Sequence, residues 1–341
     1  NICVSGDMTM SLSRCTQNSS FMEEWRKGWH PEHIRPKQSD TRVLVVGAGP
    51  AGLSAAHKAG LRGYEVALAE AGGELGGRVT RESRLPGLSA WARVRDYRQG
   101  QILRMANVSV YRDSALTDED ILGFGFEHVA IATGARWRRD GVARFNLLPV
   151  PMAPAMPVFT PDDIMSGHLP SGRVVIYDDD HYYMGSVLAE LLVQAGRQVV
   201  FLTPSTRVAE WSFNTLEQGA IQARLLDAGV DVRITRGLGS VESDGVTAMC
   251  TYTGRREAIA CEGLVMVTAR LPEDGLYLAL KAREAEWGAH GLCTVRVIGD
   301  ANAPAAIAWA TYAGHRYAEE LDAAPLGDAL PFRREVAHIR N

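Results

Sequence analysis

The sequence has few of the features that would assign it to a membrane, a nucleic acid or the cell exterior. No apolar run in the 341 residues approaches the roughly 18 residues that cross a bilayer. The first residues are polar where a signal peptide needs a basic start and an apolar centre. The net charge is −4 with both signs interleaved, so no basic stripe is available for a nucleic-acid backbone. We therefore expect a cytoplasmic protein whose partners include no membrane and no nucleic acid.

Cysteine is also scarce, with five in the chain. An odd number of cysteines without regular spacing does not favour a disulfide framework. Cys250, Cys261 and Cys293 stand alone in apolar or strand-like surroundings, which favours reduced thiols buried as small hydrophobic side chains. Cys3 and Cys15, eleven residues apart within the first segment, need another explanation.

Predicted strands and helices alternate from residue 42 onward. The stretch "TRVLVVGAGPAG" predicts a buried strand that ends in glycines, "LSAAHKAGLRG" predicts a helix, and "EVALAEA" predicts a second strand. A further helix is predicted at "TDEDILGFG", where Thr117 is followed three residues later by Asp120 in the spacing of a capping box. The same plan begins again at "RVVIYDDD". This alternation predicts parallel sheets with helices on both faces.

The length of the chain predicts two domains, because single cores stop growing at roughly 250 to 300 residues. The proline-rich stretch "LLPVPMAPAMPVFTPDD" is the best domain boundary, and a final strand and helix after "CTVRVIGDA" follow the second unit. We predict a second sheet inserted in the first. The predicted segments are a connecting segment at 1–40, a first domain at 41–157 plus 292–325, an inserted domain at 158–291 and a tail at 326–341.

The stretch Gly47–Gly52 has the spacing G-x-G-x-x-G directly after a predicted strand and at the start of a predicted helix, the context that makes this pattern specific. The glycines permit a tight turn, close approach of a pyrophosphate and close helix–strand packing, and the helix N-terminus attracts phosphate. Glu70 stands eighteen residues after Gly52, where a carboxylate accepts hydrogen bonds from ribose hydroxyls and repels a 2′-phosphate. The sequence therefore predicts a dinucleotide-binding turn.

Three further stretches, "GGELGGR", "AIATGA" and "VIGDA", follow this turn. In this order they resemble the flavoprotein disulfide-reductase-like fold, in which a terminal Gly-Asp returns beside the first glycine turn. We therefore predict an α/β fold with two Rossmann-like three-layer domains of the FAD/NAD(P)-binding type. The predicted cofactor-binding residues are Gly47, Ala48, Gly49, Pro50, Ala51, Gly52, Glu70, Gly76, Gly77, Arg78, Ala132, Thr133, Gly134, Gly299 and Asp300.

The inserted unit lacks the matching glycines. Asp178, Asp179 and Asp180 follow its first strand where a pyrophosphate would lie, and like charges repel there; only Gly185 remains. The next strand ends "FLTPS", with no acidic residue for a ribose and no basic residue for a 2′-phosphate. Two interpretations stay open. This is either a solvated acidic loop on a retained domain, or a domain that has lost NAD(P)H binding and serves as a scaffold or docking surface.

Cys3 and Cys15 lie in "NICVSGDMTMSLSRCTQN", which is followed by "EEWRKGWHPE". This segment resembles the iron–sulfur segment of the trimethylamine, dimethylamine and histamine dehydrogenase family, whose C-x-x-C-N-x-C group matches Asn1 and Cys3. The resemblance continues through "LPGLSAW", "VVIYDDDHYYMG", "KAREAEW" and "AGHR", and so spans essentially the whole chain. It implies that Cys3 and Cys15 are two of the four ligands of a [4Fe–4S] cluster, with the other two just upstream.

The resemblance also implies a place within a longer enzyme. Family members begin with a (β/α)8 barrel that carries covalent FMN and the amine site, so this chain resembles the region after the barrel, and we expect it to be inactive alone. Electrons pass from FMN through the cluster to an electron-transferring flavoprotein. The glycine turn holds ADP where related enzymes bind FAD, and the members are homodimers.

Trp211 is the remaining residue that the resemblance singles out. The stretch "RVAEWSFNTLE" aligns with the region where the partner flavoprotein docks beside an exposed aromatic side chain. The alternative is a tryptophan half-buried against its own domain.

A different enzyme class, an FAD- and NAD(P)H-dependent reductase of the 2,4-dienoyl-CoA reductase kind, is the main alternative function. The missing second glycine turn opposes it, as does the absence of a C-x-x-C redox pair from the sequence. A non-catalytic module that docks a redox partner is a third hypothesis, which overlaps the first.

Overall fold

The structure is a computed structural model in which residues 2–23, 29 and 33–323 are described. Asn1 and the predicted tail at 326–341 lie outside the described residues.

The strands of the described residues form two parallel and two antiparallel sheets. In chain order they are β1 (Arg42–Val46), β2 (Glu65–Ala69), β3 (Val108–Tyr111), β4 (His128–Ile131), β5 (Ala135–Trp137), β6 (Val158–Phe159), β7 (Arg173–Asp178), β8 (Gln198–Leu202), β9 (Asp231–Arg233), β10 (Arg236–Val241), β11 (Gly245–Cys250), β12 (Arg256–Ala260), β13 (Gly263–Val267), β14 (Arg270–Pro272) and β15 (Thr294–Val297).

The helices alternate with these strands. They are α1 (Ile2–Met8), α2 (Pro50–Leu61), α3 (Arg78–Glu82), α4 (Ala92–Ile102), α5 (Asp118–Phe124), α6 (Pro161–Met165), α7 (Tyr183–Gln194), α8 (Gln218–Asp227), α9 (Gly275–Ala282) and α10 (Ile307–Glu319). Short 3-10 helices lie at Ser89–Trp91, Glu210–Phe213, Glu284–His290 and Gly299–Ala301. None of the described helices is long and apolar enough to cross a membrane.

Each domain is built on a five-stranded parallel sheet. The first has the order β15–β4–β1–β2–β3 and the second the order β6–β13–β7–β8–β9. In both sheets the strand order runs in opposite directions from a central strand, β1 or β7. Such a switch point in the strand order opens a crevice at the carboxyl ends of the strands. The predicted fold class, two Rossmann-like domains with the second inserted in the first, is confirmed.

The capping signal before α5 is also confirmed. Thr117 accepts a hydrogen bond from the Asp120 backbone N–H at 3.2 Å, and the Asp120 carboxylate accepts one from the Thr117 N–H at 2.8 Å. The reciprocal pair satisfies two helix N–H groups that would otherwise lack partners.

The two passes of the chain between the domains lie side by side. β5 and β14 pair as a two-stranded antiparallel ribbon with Trp137 opposite Arg270. Beyond the ribbon, Leu280 and Trp287 pack in the same core as Leu44 and Ile131 of the first sheet. The return to the first domain therefore precedes our predicted boundary at 291/292, because these short helices bury their apolar faces on the first sheet.

Two smaller features differ from the sequence analysis. The sheet β10–β11–β12 was not predicted, because its glycine-containing strands lack a strict alternation of apolar and polar residues.

Of the three isolated cysteines, Cys261 is buried, Cys250 is half-buried and Cys293 is exposed. The prediction of a buried thiol is wrong for Cys293, which lies on the loop before β15.

Helices α2 and α10 pack against each other more closely than side chains would allow. A Cβ atom at Gly314 of α10 would lie 2.0 Å from the Ala51 carbonyl oxygen and 2.8 Å from the Ala55 nitrogen of α2. At the far end of the contact, Lys58 Nζ lies 2.6 Å from Glu319 Oε1, and both side chains are buried. Burial alone would raise the pKa of Glu319, but the bonds from Lys58 and Arg35 outweigh it and lower the pKa.

We expect Gly314→Ala to lower the free energy of unfolding by about 2 kcal/mol, because the added methyl group meets backbone that has to move. Gly100→Ala in α4 is the matched control, since a Cβ there meets no atom within 4 Å and removing a helical glycine is worth about 0.5 to 1 kcal/mol of stability. Scanning calorimetry checks both variants. Equal unfolding temperatures would contradict the close contact between the helices.

Candidate functional site

A groove of about 730 Å³ lies along the carboxyl edge of the first sheet. The turn after β1, the end of β2 and the segment after β4 line it, and so do Glu273, Gly275, Leu276, Ala305, Ile307 and Ala310. Its volume falls within the roughly 300 to 1,000 Å³ of ordinary ligand pockets. The groove is therefore large enough for a nucleotide.

The glycine turn has the geometry that the sequence predicts. Gly47 has φ +98°, and a Cβ there would lie 2.4 Å from the Ala132 carbonyl oxygen. At Gly52 a Cβ would lie 1.8 Å from the Gly47 carbonyl oxygen, which explains the close helix–strand packing. At Gly49, the N-cap of α2, a Cβ would meet no atom within 4 Å. The first turn of α2 carries no acidic residue, so its N–H groups form an open anion site.

Glu70 lies at the groove where β2 ends. Its Oε2 accepts a hydrogen bond from the Ala48 N–H at 2.7 Å and its Oε1 accepts one from the Gly72 N–H at 2.9 Å. Each oxygen retains a further lone pair, so the carboxylate is fixed in position and can still accept from hydroxyl groups. This arrangement fits a ribose beside the glycine turn.

Arg78 and Asp300 also line the groove. The Asp300 Oδ2 atom accepts from Arg78 Nη2 at 2.8 Å and from Arg270 Nη1 at 2.6 Å. Asp300 Oδ1 accepts from the Ala305 N–H at 3.1 Å. Arg78 Nε also lies 2.9 Å from Glu82 Oε1. Burial works against the charge on Arg78, but Glu82 and Asp300 outweigh it and raise its pKa.

Most of the predicted cofactor residues meet at this groove. Those that line it are Gly47, Gly49, Pro50, Ala51, Glu70, Gly77, Arg78, Ala132, Thr133, Gly134 and Asp300. The other four support it: Ala48 donates to Glu70, Gly52 packs on the turn, Gly76 donates to the Ala48 carbonyl and Gly299 packs against Ala51.

The sequence analysis missed part of the lining. Thr133 Oγ1 donates a hydrogen bond to the Glu273 carbonyl. The missed lining residues are Ser114, Ala115, Leu116, Glu273, Gly275 and Leu276. No local pattern marks these residues, because they reach the groove only through the sheet order and the ribbon. Arg270, which bonds to Asp300, was missed for the same reason.

The acidic run at the end of β7 is not a solvated loop, because Asp178 and Asp179 are buried and Asp180 is half-buried. Asp178 and Asp179 are 0% and 1% exposed. Asp178 Oδ1 accepts from the His181 N–H at 3.3 Å, and a Cβ on Gly185 in the first turn of α7 would lie 2.8 Å from Asp178 Cγ. The interpretation as a solvated acidic loop is wrong, because the Asp178 carboxylate lies against the start of α7 where a phosphate would bind.

The neighbouring side chains hold this arrangement in place. Asp179 Oδ2 accepts from the Phe145 N–H at 2.8 Å, and Asp179 Oδ1 lies 3.0 Å from His181 Nε2. Burial acts to lower the pKa of His181, but the contact with Asp179 and the charge of Asp178 outweigh it and raise the pKa. Burial raises the pKa of Asp178 to about 7. His181 itself has φ +63°, which turns the chain toward α7.

The first segment is folded against the first domain. Cys3 lies exposed on α1 and Cys15 is half-buried in the following loop, where its Sγ accepts a hydrogen bond from the Asn18 N–H at 3.3 Å. Backbone N–H groups that donate to ligand sulfurs are typical of iron–sulfur sites. A cubane cluster needs four thiolates, and within the described residues no group of three or more His, Cys, Asp or Glu side chains is arranged around a metal site. The described residues alone therefore do not complete such a ligand set.

Arg98 of α4 anchors residues 2–23, which carry Cys3 and Cys15 and which we call the cysteine segment. Its buried guanidinium donates to Ser54 Oγ at 2.8 Å and to the Gln17 carbonyl at 3.1 Å. The same side chain thus contacts α2, whose first turn forms the anion site, and the backbone two residues after Cys15. This links the position of Cys15 to the first domain.

A second cavity, which we call the interdomain cleft, has a volume of about 590 Å³ and is lined by Ile2, Thr16, Trp91, Tyr183 and Trp211 among others. Trp91 and Tyr183 meet edge to face with centroids 5.6 Å apart. The cleft therefore borders the cysteine segment, the first domain and the second domain at once.

Trp211 lies at the rim of the interdomain cleft on a surface loop. It is 40% exposed, and Phe213 and Leu216 on the same loop are 51% and 69% exposed. The Trp211 N–H donates to the His181 carbonyl at 2.9 Å. The buried acidic turn thus supports the backbone of this apolar surface, which we call the 211–216 patch.

Known proteins resemble the chain in both domains. The family described as NAD(P)-binding Rossmann-like domain matches residues 45–99, and the family described as OYE-like second alpha/beta domain matches residues 159–257. Dimethylamine dehydrogenase of Hyphomicrobium sp. is 38% identical over an alignment of 362 positions that covers 98% of this chain and 49% of that protein.

Two solved structures have the same fold at high identity. Histamine dehydrogenase from Rhizobium sp. 4-9 superposes with a TM-score of 0.96 at 59% identity, covering 100% of this chain and 53% of that one. The 6-hydroxypseudooxynicotine amine oxidase from Pseudomonas geniculata N1 superposes with a TM-score of 0.88 at 43% identity, covering 93% and 47%. The chain thus spans about half the length of these relatives.

We expect Asp178→Asn to change how stability depends on pH. The folded-state pKa of Asp178, about 7, lies above the ordinary aspartate value of 3.8, so the folded protein holds a proton that the unfolded chain releases. Asp178 therefore costs the wild type stability as the pH rises from about 4 to about 7, and the variant should lose less over that interval. Calorimetric unfolding temperatures across this range test the expectation, and parallel curves would contradict it.

Proposed function

The chain belongs to the amine dehydrogenase family that includes the dimethylamine and histamine enzymes, and on this basis we propose that it forms the electron-exit part of an iron–sulfur flavoprotein amine dehydrogenase. The whole protein would oxidise a small amine, by deamination or demethylation, at an FMN carried on a (β/α)8 barrel outside the described residues. The chain alone would not oxidise amines, and the whole protein would be a homodimer.

The observation that carries this proposal is the contrast between the two helix N-termini. The first turn of α2 is open to an anion beside Gly49 and Glu70, whereas Asp178 fills the equivalent position at α7. A nucleotide is thus favoured in the first domain, and a nicotinamide dinucleotide is disfavoured in the second. We propose that the groove binds ADP.

We propose that Cys3 and Cys15 bind a [4Fe–4S] cluster together with two further thiolates of the whole protein. Such a cluster carries one electron at a time. In this chain the Asn18 N–H would hold the Cys15 sulfur in place, and Arg98 would fix the backbone beside it. The interdomain cleft, which Thr16 and Trp211 both line, would bring the cysteine segment close to the surface.

The proposed electron acceptor is a separate electron-transferring flavoprotein that docks on the 211–216 patch. Trp211, Phe213 and Leu216 offer exposed apolar area, and aromatic side chains are enriched where proteins bind one another. Trp211 of this patch lines the interdomain cleft, and so does Thr16, the residue after Cys15. A partner bound on the patch would therefore lie near the proposed cluster, from which it would accept electrons.

The alternative, an FAD- and NAD(P)H-dependent reductase, differs in the nucleotide it holds. We expect the protein to release ADP and no flavin when it is denatured and the supernatant is analysed by chromatography. Release of FAD with its yellow absorbance would reject the ADP proposal in favour of the reductase.

We expect Gly49→Asp to abolish nucleotide binding while leaving the fold intact. Aspartate is a favoured N-cap residue, so stability is retained, but its carboxylate would occupy the place of a phosphate. Nucleotide content per protein and the unfolding temperature are measured together, with Gly100→Asp as the control for added charge. Retention of stoichiometric nucleotide by Gly49→Asp would contradict the assignment of the anion site.

In the whole enzyme we expect Trp211→Ala to slow reduction of the partner flavoprotein about tenfold at limiting partner concentration, as for the loss of an aromatic anchor worth about 1.4 kcal/mol. Tyr252→Ala is the control, because Tyr252 is 78% exposed on the turn between β11 and β12. Stopped-flow kinetics distinguish the two variants. Equal rates for both would reject the 211–216 patch as the docking surface.

A further inference from the structure

We infer that Arg270 and Arg78, bonded together through Asp300, close the inner end of the nucleotide groove and make it selective for a nucleoside diphosphate over FAD. This inference rests on the proposed nucleotide-binding function and adds the residues that set its specificity.

The groove of the first domain and the interdomain cleft share a wall. Arg78, Glu82, Ala305 and Ile307 line both the groove and the interdomain cleft. Asp300 lines only the groove and Arg270 lines only the cleft, so their 2.6 Å bond crosses the wall. A cofactor that extends beyond its diphosphate from the groove into the cleft would have to pass through this bond.

The Asp300 oxygen that faces the two arginines, Oδ2, has no spare lone pair for such a cofactor. This oxygen already accepts from two guanidinium groups, and Asp300 Oδ1 accepts from the Ala305 N–H. A carboxylate at this position that was free of arginine would offer acceptors to the hydroxyl groups of a longer cofactor. Here the charge-assisted bonds would have to break first, and these are the strong class of hydrogen bond.

The closure is held from both domains. Arg270 lies on β14 of the ribbon, its Nη2 donates to the Ala305 carbonyl at 2.9 Å, and its guanidinium lies 5.6 Å from the centroid of the Trp137 ring. Arg78 is held on its own helix by Glu82. The side chains of Arg78, Arg270 and Asp300 are 16%, 15% and 14% exposed, so they form a packed wall.

Arg78 also supplies a donor for a terminal phosphate. Its Nη1 is buried and has no hydrogen-bond partner among the described residues, and the side chain lines the groove beside Gly77. A nucleoside diphosphate ends in a phosphate that carries more negative charge than the internal diphosphate diester of FAD. A guanidinium at this position favours the more highly charged group.

The test compares ADP and FAD binding by titration calorimetry after bound nucleotide has been removed. The wild type should prefer ADP by about a hundredfold or more, and Arg270→Ala should raise the affinity for FAD about tenfold while changing that for ADP less than about threefold. Arg144→Ala is the matched control, because Arg144 lines the cleft without a bond to Asp300, and it should alter neither affinity.

A second variant covers the case in which Arg270→Ala fails to fold. Arg270→Gln is shorter and uncharged but retains a donor for the Ala305 carbonyl, and it should raise the FAD affinity about threefold or more. In addition, Arg78→Met should weaken ADP about tenfold and leave AMP, which lacks the terminal phosphate, unchanged.

The outcomes separate this inference from the proposed function. If the wild type prefers ADP and both Arg270 variants still exclude FAD, the closure is wrong and nucleotide binding stands. If the wild type binds FAD as tightly as ADP, the proposed ADP function fails together with the closure. Equal losses of ADP and AMP affinity in Arg78→Met would reject the terminal-phosphate contact.

Discussion

The N–H groups at the start of a helix that begins directly after the central strand of a parallel sheet need polar partners from outside the helix, and this constraint organises both domains. Each sheet brings such a helix, α2 or α7, to its switch point. The first domain leaves the position open beside Gly49, and the second fills it with Asp178. The same architecture therefore gives a binding site in one domain and a self-contained structural unit in the other.

Filling the second site changes what its neighbouring loop can do. The backbone at His181 accepts a hydrogen bond from Trp211, so the turn that would otherwise hold a diphosphate now supports a surface loop. On the other side of the interdomain cleft, the Arg78–Asp300–Arg270 cluster separates the cleft from the groove. Protein contacts therefore border the cleft on both of these sides. In a flavoenzyme that binds FAD and NAD(P)H, the two cofactors would lie there instead.

The sequence predicts the parts of the fold that depend on local periodicity and on the glycine turn. The turn at Gly47–Gly52, the carboxylate of Glu70 and the cap at Thr117 could be found because each is set by residues close together in the chain. Burial of Asp178 and the role of Arg270 could not be found in this way. Both depend on contacts between segments far apart in sequence, and a run of aspartates is solvated in most other settings.

Because the Asp178 carboxylate lies at the start of α7, the two domains also respond differently to their surroundings. A ligand that binds only the folded state stabilises it by mass action. The free energy of unfolding of the first domain would therefore rise with the concentration of the proposed nucleotide. Asp178 is covalently part of the chain and cannot dissociate, so the second domain needs no such supply. Because Arg98 joins α2 to the segment that carries Cys15, loss of the proposed nucleotide would loosen that segment as well, while the 211–216 patch would keep its shape.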